Sequence, residues 1–447
     1  MSPAASLDWA ALGDETVQVL QDYLRIDTTN PPGNETVGAR FLADLLSRDG
    51  IQSRLIESAP GRGNLIARLP GDGTERPLLL HHHIDVVYAD RRYWSVDPFG
   101  GEIRDGFLYG RGALDMKSVG ILQLMAVRAL KRAEVPLKRD LVLLATADEE
   151  AGSVYGARFL SEQHPEVIDG AEYSLGEFGA IYTRPGWRGY AGDISISEKT
   201  GFPIRLTARG TPGHGSMPWP DTAVNRLIRA LGRLLQAERP LRVIPEVHAY
   251  FSRLATLLPE GERTGWDDLE ASLGDPQFRQ KFLADPHHAA LVRTTFAVTV
   301  LRGSDKRNVI PPEAAAEIDC RLLAGDDPDE VLDWVRRVVA DAQVTVEAIQ
   351  PAKVPTLSPP DTPLYKMLAE TIHRREPRAV VLPLVVTGFT DNWVFRRHGV
   401  QAYGFAPFVF GEAELYRVHG NDERISLENL RAGVRSYTEM LLAVAGV

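Results

Sequence analysis

The sequence predicts an α/β fold, in which a mostly parallel sheet flanked by helices carries an inserted α+β sandwich. Short apolar runs, typical of buried strands, alternate with helical patterns along the first part of the chain. Near residue 195 this succession of buried strands and helices ends, and strands in which polar and apolar residues alternate follow. From Asp361 the succession of strands and helices resumes. We therefore expect a large domain in two parts, residues 1–194 and 351–447, around an inserted domain at 195–350.

Apolar periodicity places the elements of the first part. The sequence Asn30-Pro31-Pro32-Gly33 is a strong turn signal and separates the first two helices. Apolar residues at helical spacing predict helices, and short apolar runs predict strands. The predicted helices are 15–26, 34–49, 119–132 and 156–163, and the predicted strands are 53–56, 64–68, 78–83 and 141–146.

The rest of the chain divides into the insert and the returning domain. In the insert we expect two helices among about four strands, and we expect the irregular segment 241–295 to be an insertion within this small sandwich. The predicted strands of the insert include 204–208, 296–300 and 314–322, and its helices are 221–238 and 329–340. After Asp361 we expect helices at 362–374 and from 391 to 397, a strand at 402–405 and a closing helix from Leu427.

The composition excludes several classes of protein. A formal net charge of −10 disfavours a nucleic-acid-binding surface. Because Cys320 is the single cysteine, the chain can form no internal disulfide and no cysteine-based zinc site. No apolar run reaches the roughly 18 residues of a membrane span, and the first residues lack the pattern of a secretory leader. We expect a soluble cytoplasmic protein without nucleic-acid or membrane partners.

The stretch His81-His82-His83-Ile84-Asp85 ends an apolar strand and predicts one corner of a metal site. Side chains alternate along a strand, so the His83 imidazole and the Asp85 carboxylate can project to the same side. His82 would point to the opposite face. His81 would share the face of His83 one step deeper, where a hydrogen-bonded core histidine is expected rather than a ligand.

Further candidate ligands follow other predicted strands or loops. Asp115 comes after a glycine-rich loop and Glu149-Glu150 after the strand at 141–146, while Glu177 and His419 lie in loops. Taken singly, each would be read as a turn, a helix cap or a solvated surface residue. In open α/β sheets, however, ligands gather at the carboxyl ends of strands, where several of these residues would meet.

The motifs resemble, together and in order, a known family of di-zinc hydrolases. They are His83-Ile84-Asp85-Val86-Val87, Gly110-Arg111-Gly112-Ala113-Leu114-Asp115-Met116-Lys117, Asp148-Glu149-Glu150, Gly213-His214-Gly215-Ser216, Asn308-Val309-Ile310-Pro311 and His419-Gly420. The family comprises aminoacylases, succinyl-diaminopimelate desuccinylases and glutamate carboxypeptidases. The long segment 241–295 looks most like the larger branch of carboxypeptidase S and N-acyl-amino-acid hydrolases. Many members have glycine where this chain has His82.

The resemblance implies a ligand set and two zinc ions per subunit. His83 and Glu177 would bind one ion, Glu150 and His419 the other, and the Asp115 carboxylate would bridge them. Imidazole and carboxylate ligands suit zinc and also cobalt or manganese. The large domain would be the catalytic domain, and the insert would be a lid and dimerisation domain.

The resemblance also implies roles for residues outside the ligand set. Asp85 would orient the His83 ring through its second nitrogen, in keeping with the usual partner of a ligating histidine. Glu149 would be the general base, free of metal. His214 would reach across a dimer interface to stabilise the oxyanion, and Asn308 and Arg321 would grip the substrate's carboxylate.

The expected activity is metal-dependent hydrolysis of an amide or peptide bond next to a free carboxylate, in a homodimer. The substrate would be a peptide or an N-acyl amino acid, as for a carboxypeptidase or an aminoacylase. Two alternatives stay open: a dipeptidase, and a non-catalytic binding protein on the same scaffold. The presence of Glu149 argues against the second, because a binding protein needs no unligated base. The Gly110-Arg111-Gly112 loop is too short a signature to indicate nucleotide binding.

Overall fold

The computed structural model describes residues 7–351 and 356–446. The first six residues, which belong to the stretch expected to carry no leader, lie outside the described part. The first segment contains helices α1 (Trp9–Leu24), α2 (Glu35–Arg48), α3 (Lys117–Arg132) and α4 (Ala157–Gln163). Its strands are β1 (Ser53–Glu57), β2 (Gly63–Leu69), β3 (Leu78–His83), β4 (Ile103–Arg104), β5 (Phe107–Tyr109), β6 (Leu141–Thr146), β7 (Tyr173–Gly176), β8 (Ile181–Tyr182) and β9 (Tyr190–Glu198).

The remaining elements follow in the middle and the last part of the chain. The middle part contains β10 (Thr200–Gly201), β11 (Ile204–Arg209), β12 (Gly213–His214), α5 (Ala223–Gln236), α6 (Pro245–Leu254), α7 (Leu269–Ser272), α8 (Pro276–Leu283), α9 (Pro286–Leu291), β13 (Thr295–Arg302), β14 (Val309–Ile310), β15 (Glu313–Leu322), α10 (Pro328–Val339) and β16 (Val344–Ala348). The last part contains α11 (Pro363–Arg375), β17 (Ala379–Val386), α12 (Asn392–Arg397), β18 (Gln401–Gly404), β19 (Val409–Phe410), α13 (Glu412–Leu415), β20 (Arg424–Ser426) and α14 (Leu427–Ala445).

A large mixed sheet forms the centre of the molecule. Within the described residues its strand order is β1-β2-β6-β3-β7-β18-β9-β8-β19, and β17 pairs with β9. The strands from β6 to β18 are parallel, whereas β1 and β2 join one edge antiparallel. Strand β3 is buried on both faces: Leu78 and Leu80 join a core with α1, α3 and α14, and Leu79 joins a core with α4 and α12. Helices on both faces of a parallel sheet confirm the predicted α/β fold.

The order of the central strands positions the functional residues. Strands β6, β3 and β7 are neighbours and run in the same direction. Their carboxyl ends therefore lie side by side at one edge of the sheet. His83 ends β3, the Glu149–Glu150 pair follows β6 within a few residues, and Glu177 directly follows β7.

The smaller sheet has its own core. Strands β10, β15, β11 and β16 follow one another, β13 pairs with β15, and every pairing is antiparallel. Buried and partly exposed side chains alternate along β15, so one face of the sheet is apolar. Helices α5 and α10 cover this face, where Leu227 and Val335 share a core with Ile318.

Segment 241–295 packs elsewhere than the sequence predicts. Val247 and Phe251 of α6 share a core with Ala191 of β9 and Leu382 of β17, both strands of the large sheet. The expectation that this segment lies within the small sandwich is therefore wrong. The apolar face of α6 is buried against β17, a strand that the sequence analysis did not identify. Strand β9 also extends to Glu198, so the small sheet begins at Thr200, a few residues after the expected boundary at 195.

Candidate metal centre

Two histidines face the two oxygens of one carboxylate. The His83 Nε2 atom lies 3.0 Å from Asp115 Oδ1, and the His419 Nε2 atom lies 3.1 Å from Asp115 Oδ2. Glu177 Oε2 is 3.6 Å from His83 Nε2, and Glu150 Oε1 is 3.4 Å from His419 Nε2. The structure thus brings all five predicted ligands together, with Asp115 between one histidine–glutamate pair and the other.

The donor set fits divalent metal ions. The buried oxygens Glu150 Oε1 and Glu177 Oε1 accept no hydrogen bond from the described residues. A buried carboxylate oxygen without a donor is costly unless a cation neutralises it. Ligand atoms of His83, Asp115 and Glu150 lie within 4.8 Å of one another, as do those of His83, Glu149 and Glu177. Imidazole and carboxylate groups at such distances are typical of zinc sites and of related metal sites.

The protonation of the cluster is consistent with this fit. The nearby carboxylates of Asp115 and Glu150 raise the pKa of His419 to about 10. Burial raises the pKa of Glu177 to about 8, although His83 opposes the shift. Protons on these groups therefore offset the mutual repulsion of the carboxylates. Bound metal ions would displace these protons and neutralise the carboxylates instead.

Glu149 has the properties of a proton carrier. Its carboxyl is buried, and burial together with the nearby charge of Glu177 raises its pKa well above the ordinary value. It stands at the start of a short 3-10 turn, Glu149–Ala151, beside the ligand Glu150. The same turn therefore presents one metal ligand and one candidate general base.

Asp85 orients His83 differently from the prediction. The Nδ1–H group of His83 donates to the backbone carbonyl of Asp85 at 2.9 Å, while the nearer carboxylate oxygen is 3.6 Å away. The Asp85 carboxylate instead accepts the backbone N–H groups of Glu149 and Glu150, both at 3.1 Å. Asp85 thus fixes the His83 ring through its main chain and fixes the Glu149–Glu150 turn through its side chain.

A buried polar network that was not predicted from the sequence holds the Asp85 side chain in place. Asn30 donates to Asp85 at 2.8 Å and to Asp148 at 3.1 Å. Arg62 pairs with Asp148 at 2.8 Å and with Glu35 at 2.7 Å. Asn30, Arg62 and Asp148 lie in loops and Glu35 begins α2, so four buried residues that are far apart in sequence meet behind Asp85. The only local signal was the turn sequence around Asn30, which does not reveal these contacts.

A second buried pair holds the loops of Asp115 and His419 together. Glu423 accepts the backbone N–H groups of Leu114 at 2.6 Å and Asp115 at 3.1 Å, and its other oxygen pairs with Arg111 at 2.6 Å. Arg111 also donates to the His419 carbonyl at 3.3 Å. Arg111 lies inside a motif quoted above and Glu423 lies four residues after His419, but neither was assigned a role from the sequence.

The two additional histidines are core residues. His81 Nε2 lies 2.9 Å from the Thr146 hydroxyl and 3.2 Å from Asp391 Oδ2, beneath the metal centre. His82 points to the opposite face, where its Nδ1 atom is 3.2 Å from Gln123 Oε1 of α3. The placement of both side chains agrees with the strand alternation that predicted it.

Arg321 lines the same cavity as the metal centre. This cavity of about 570 Å³ lies between the strand ends of the large sheet and β15 of the small sheet. Glu149, Glu150 and His419 form one wall, Arg321 belongs to another, and the loop at Gly388 and Phe389 also contributes. Arg321 pairs with Asp319 at 2.8 Å. Its guanidinium is therefore partly engaged, but it is accessible from the cavity.

His214 and Asn308 lie together, outside this cavity. They belong to the exposed pairing of β12 with β14, where the Gly215 N–H group donates to the Asn308 carbonyl at 2.9 Å. The Ser216 backbone N–H group donates to His214 Nδ1 at 3.2 Å, which places the ring proton on Nε2. Within a single chain, these residues are not brought to the metal centre.

Comparisons with known proteins agree with this site. A sequence model of Peptidase family M20/M25/M40 matches residues 79–443, a range that contains all five ligand candidates. The N-fatty-acyl-amino acid synthase/hydrolase PM20D1 of Xenopus tropicalis is 30% identical over 453 residues, covering 96% of this chain and 85% of the relative. Aminoacylase-1 of Homo sapiens is 28% identical over 439 residues, covering 97% and 96%.

Solved structures support the fold. The M20 family metallo-carboxypeptidase Sso-CP2 from Sulfolobus solfataricus matches with a TM-score of 0.72 at 20% identity, covering 96% of this chain and 98% of that chain. Human carnosine dipeptidase 1 matches with a TM-score of 0.70 at 19% identity, covering 97% of each chain. The described part of the chain contains no helix long and apolar enough to cross a membrane.

Proposed function

The chain belongs to Peptidase family M20/M25/M40, and from this premise we propose that it hydrolyses the amide bond of N-acyl amino acids with the help of two divalent metal ions. Zinc is the expected ion, and cobalt or manganese would suit the same ligands. The proposal rests on one observation above all. Four of the five convergent metal-ligand candidates, the carboxyl of Glu149 and the guanidinium of Arg321 line one cavity, and the fifth candidate, His83, lies 3.0 Å from Asp115.

Different residues of the chain carry out different parts of the hydrolysis. When bound, two metal ions would polarise the substrate carbonyl and make water more acidic. Glu149 accepts a proton from the attacking water and passes it to the leaving nitrogen, for which its raised pKa is suited. Arg321 exchanges Asp319 for the substrate's carboxylate, which a planar guanidinium binds with two parallel hydrogen bonds.

We propose that His214 and Asn308 act on the site of a second subunit in a homodimer. Because the Nδ1 atom of His214 is an acceptor, its Nε2–H group is available to stabilise the developing oxyanion. Asn308, beside it, would contact the same substrate. A dipeptidase is the alternative for the same site, and the cytoplasmic location stays a prediction.

The base is tested by Glu149→Gln in zinc-reconstituted protein. The amide keeps the size of the side chain but cannot accept the proton, so we expect turnover to fall by roughly 10²–10⁴-fold. Zinc content, measured by atomic absorption, and the melting temperature should stay close to those of the parent. The matched control, Glu162→Gln at an exposed position, should leave the rate unchanged. Turnover of Glu149→Gln within tenfold of the parent would rule out the assigned base.

The substrate class is tested by a hydrolysis screen of N-acyl amino acids against dipeptides. Faster cleavage of N-acyl amino acids supports the proposal, and faster cleavage of dipeptides supports the alternative. Amidation of the substrate's free carboxylate should raise KM for the parent but hardly for Arg321→Met, because that variant has already lost the guanidinium. Absence of any turnover with a full complement of metal would favour a non-catalytic protein.

A further inference from the structure

A second cavity opens beside the metal centre and is apolar. It has a volume of about 240 Å³ and is lined mainly by hydrophobic side chains. These include Val119 at the start of α3, Leu384 of β17, Phe408, Phe410 of β19 and Val418. A pocket with such walls binds hydrocarbon groups, because burial of apolar surface drives the association.

This apolar cavity adjoins the metal centre, and Arg321 is not among its lining residues. It shares Asp115, Glu177 and Phe178 with the cavity that contains Arg321, and the two have no other lining residue in common. A substrate whose carbonyl lies at the metal centre and whose carboxylate lies at Arg321 must therefore direct its acyl group towards the apolar cavity. The amino-acid side chain stays on the Arg321 side, because it branches next to the carboxylate.

The acids in the described lining of the apolar cavity favour an uncharged occupant over an ammonium group. Apart from Asp115 and Glu177, its described lining contains two acids, Glu414 and Asp193. Glu414 is paired with Arg424 at 3.1 Å. Asp193 is buried, and burial raises its pKa to about 8, so this carboxyl is mostly neutral at pH 7. A dipeptide would place its free α-amino group here without an ionised partner, whereas an acyl chain needs none.

We propose that the apolar cavity is the subsite for the substrate's acyl group and that it selects unbranched chains of about six to eight carbons. This inference rests on the proposed function, which it deepens by naming the acyl class. The cavity of 240 Å³ is about eight times the roughly 30 Å³ that one water occupies in the liquid, and a methylene group is of similar size. Longer chains would extend past Val418, which is partly exposed, into solvent.

The chain length of the substrate gives the first test. With zinc-loaded protein, kcat/KM is measured for one amino acid carrying acetyl, butanoyl, hexanoyl, octanoyl, decanoyl or dodecanoyl groups. We expect kcat/KM to rise by up to about fourfold per methylene until the cavity is full, and then to level off or fall. Equal values across the series would overturn the inference.

Two variants test the walls of the cavity. Ala180→Leu adds bulk at a partly exposed lining position, and we expect it to lower kcat/KM for octanoyl substrates at least tenfold while sparing acetyl substrates. Phe410→Ala removes bulk, and we expect it to shift the optimum to longer chains. Ala443→Leu, on the exposed face of α14, is the matched control and should leave the profile unchanged.

The outcomes separate this inference from the proposed function. If every N-acyl amino acid is inert while dipeptides are cleaved, the proposed function fails and the inference fails with it. If N-acyl amino acids are cleaved but Ala180→Leu and Phe410→Ala change only the preference among amino acids, the proposed function stands. In that case the cavity holds the amino-acid side chain, and the inference is overturned.

Discussion

At the scale of single residues, Asp193 differs from the buried acids Glu423 and Glu198. Glu423 and Glu198 are fully or almost fully buried, and each is paired with an arginine, at 2.6 Å and 2.7 Å respectively. Asp193 has no ion pair within hydrogen-bonding distance among the described residues, and its Oδ1 atom accepts no hydrogen bond. Burial raises the pKa of this carboxyl to about 8, with the Tyr182 hydroxyl opposing the shift. The chain therefore folds around a neutral carboxylic acid.

Asp193→Asn should change how stability depends on pH. Between about pH 4 and pH 8 the folded parent keeps a proton that the unfolded chain has released, so its free energy of unfolding falls as the pH rises. Asparagine does not titrate. We therefore expect the variant to gain stability relative to the parent from pH 5 to pH 8, by on the order of 1–5 kcal/mol. Urea unfolding at each pH measures this difference.

The control for this prediction is Asp333→Asn. Asp333 lies on the exposed side of α10 in a pair with Arg336, so its removal should cost little at any pH. A stability difference between parent and Asp193→Asn that stays constant from pH 5 to pH 8 would show that Asp193 is ionised in the folded chain.

At the scale of elements, the turn Glu149–Ala151 depends on support from other segments. Asp148, which precedes it, has a left-handed backbone with a φ of 69°, a conformation that costs a non-glycine residue energy. Its side chain is held by Arg62 and Asn30, and the N–H groups of the turn are held by Asp85. The strand β6 leads to the turn, but the network around Arg62 determines where its two glutamates point.

Arg62→Met should destabilise the protein much more than the loss of an ordinary surface ion pair. Removing the guanidinium leaves the Asp148 carboxylate buried without its cation, which typically costs about 3–5 kcal/mol. Burial raises the pKa of Glu35 to about 7 despite its pair with Arg62, so we attribute most of the loss to Asp148. Denaturant unfolding of the zinc-loaded protein measures this free energy.

The matched control is Arg435→Met, which removes the exposed pair of Arg435 with Glu439 and should cost less than about 1 kcal/mol. In addition, Arg62→Met should lower kcat more than it changes KM, because it disturbs the turn of Glu149 and not the binding of the carboxylate. Equal losses of stability in the two variants would mean that the network does not hold the turn.

At the scale of the whole molecule, the proposed role of His214 depends on a second subunit. His214 lies on the exposed β12–β14 pairing, outside the cavity of the metal centre. If this residue acts on a partner's site, a mixture of two inactive variants can regain activity. His214→Ala keeps its own base, and Glu149→Gln can supply the missing imidazole to it.

We expect co-expressed His214→Ala and Glu149→Gln chains to recover up to about a quarter of the parental rate, because half of randomly formed two-fold dimers are mixed and each has one intact site. Each variant alone should be nearly inactive and should retain its zinc. Light scattering measures the dimer in every sample. A mixture no more active than its components would show that His214 acts within its own chain or not at all.

Much of the fold could be predicted from the sequence, and the errors have physical causes. Helix α1 begins at Trp9 rather than Glu15, with Asp8 accepting the Ala11 N–H group at its start. Strand β17 was not predicted from the sequence. Pro383 lies within it and cannot donate a ladder hydrogen bond. It is tolerated because β17 pairs with β9 alone within the described residues. Because β17 was not predicted, the sequence offered no strand of the large sheet against which segment 241–295 could pack, and the segment was expected to belong to the small sandwich.

The sequence by itself determined the alternation of strands and helices, and its ordered motifs pointed to a ligand set that the structure brings together. The ligand set was identified by the resemblance of these motifs, taken together and in order, to a known family, since each residue taken singly would be read as a turn, a helix cap or a solvated surface residue. Only the tertiary structure revealed the acceptor of the His83 ring, the Arg62 network, the position of His214 outside the cavity and the apolar cavity beside Glu177. Each of these depends on side chains from distant segments that meet through packing, and no local pattern in a sequence specifies such contacts.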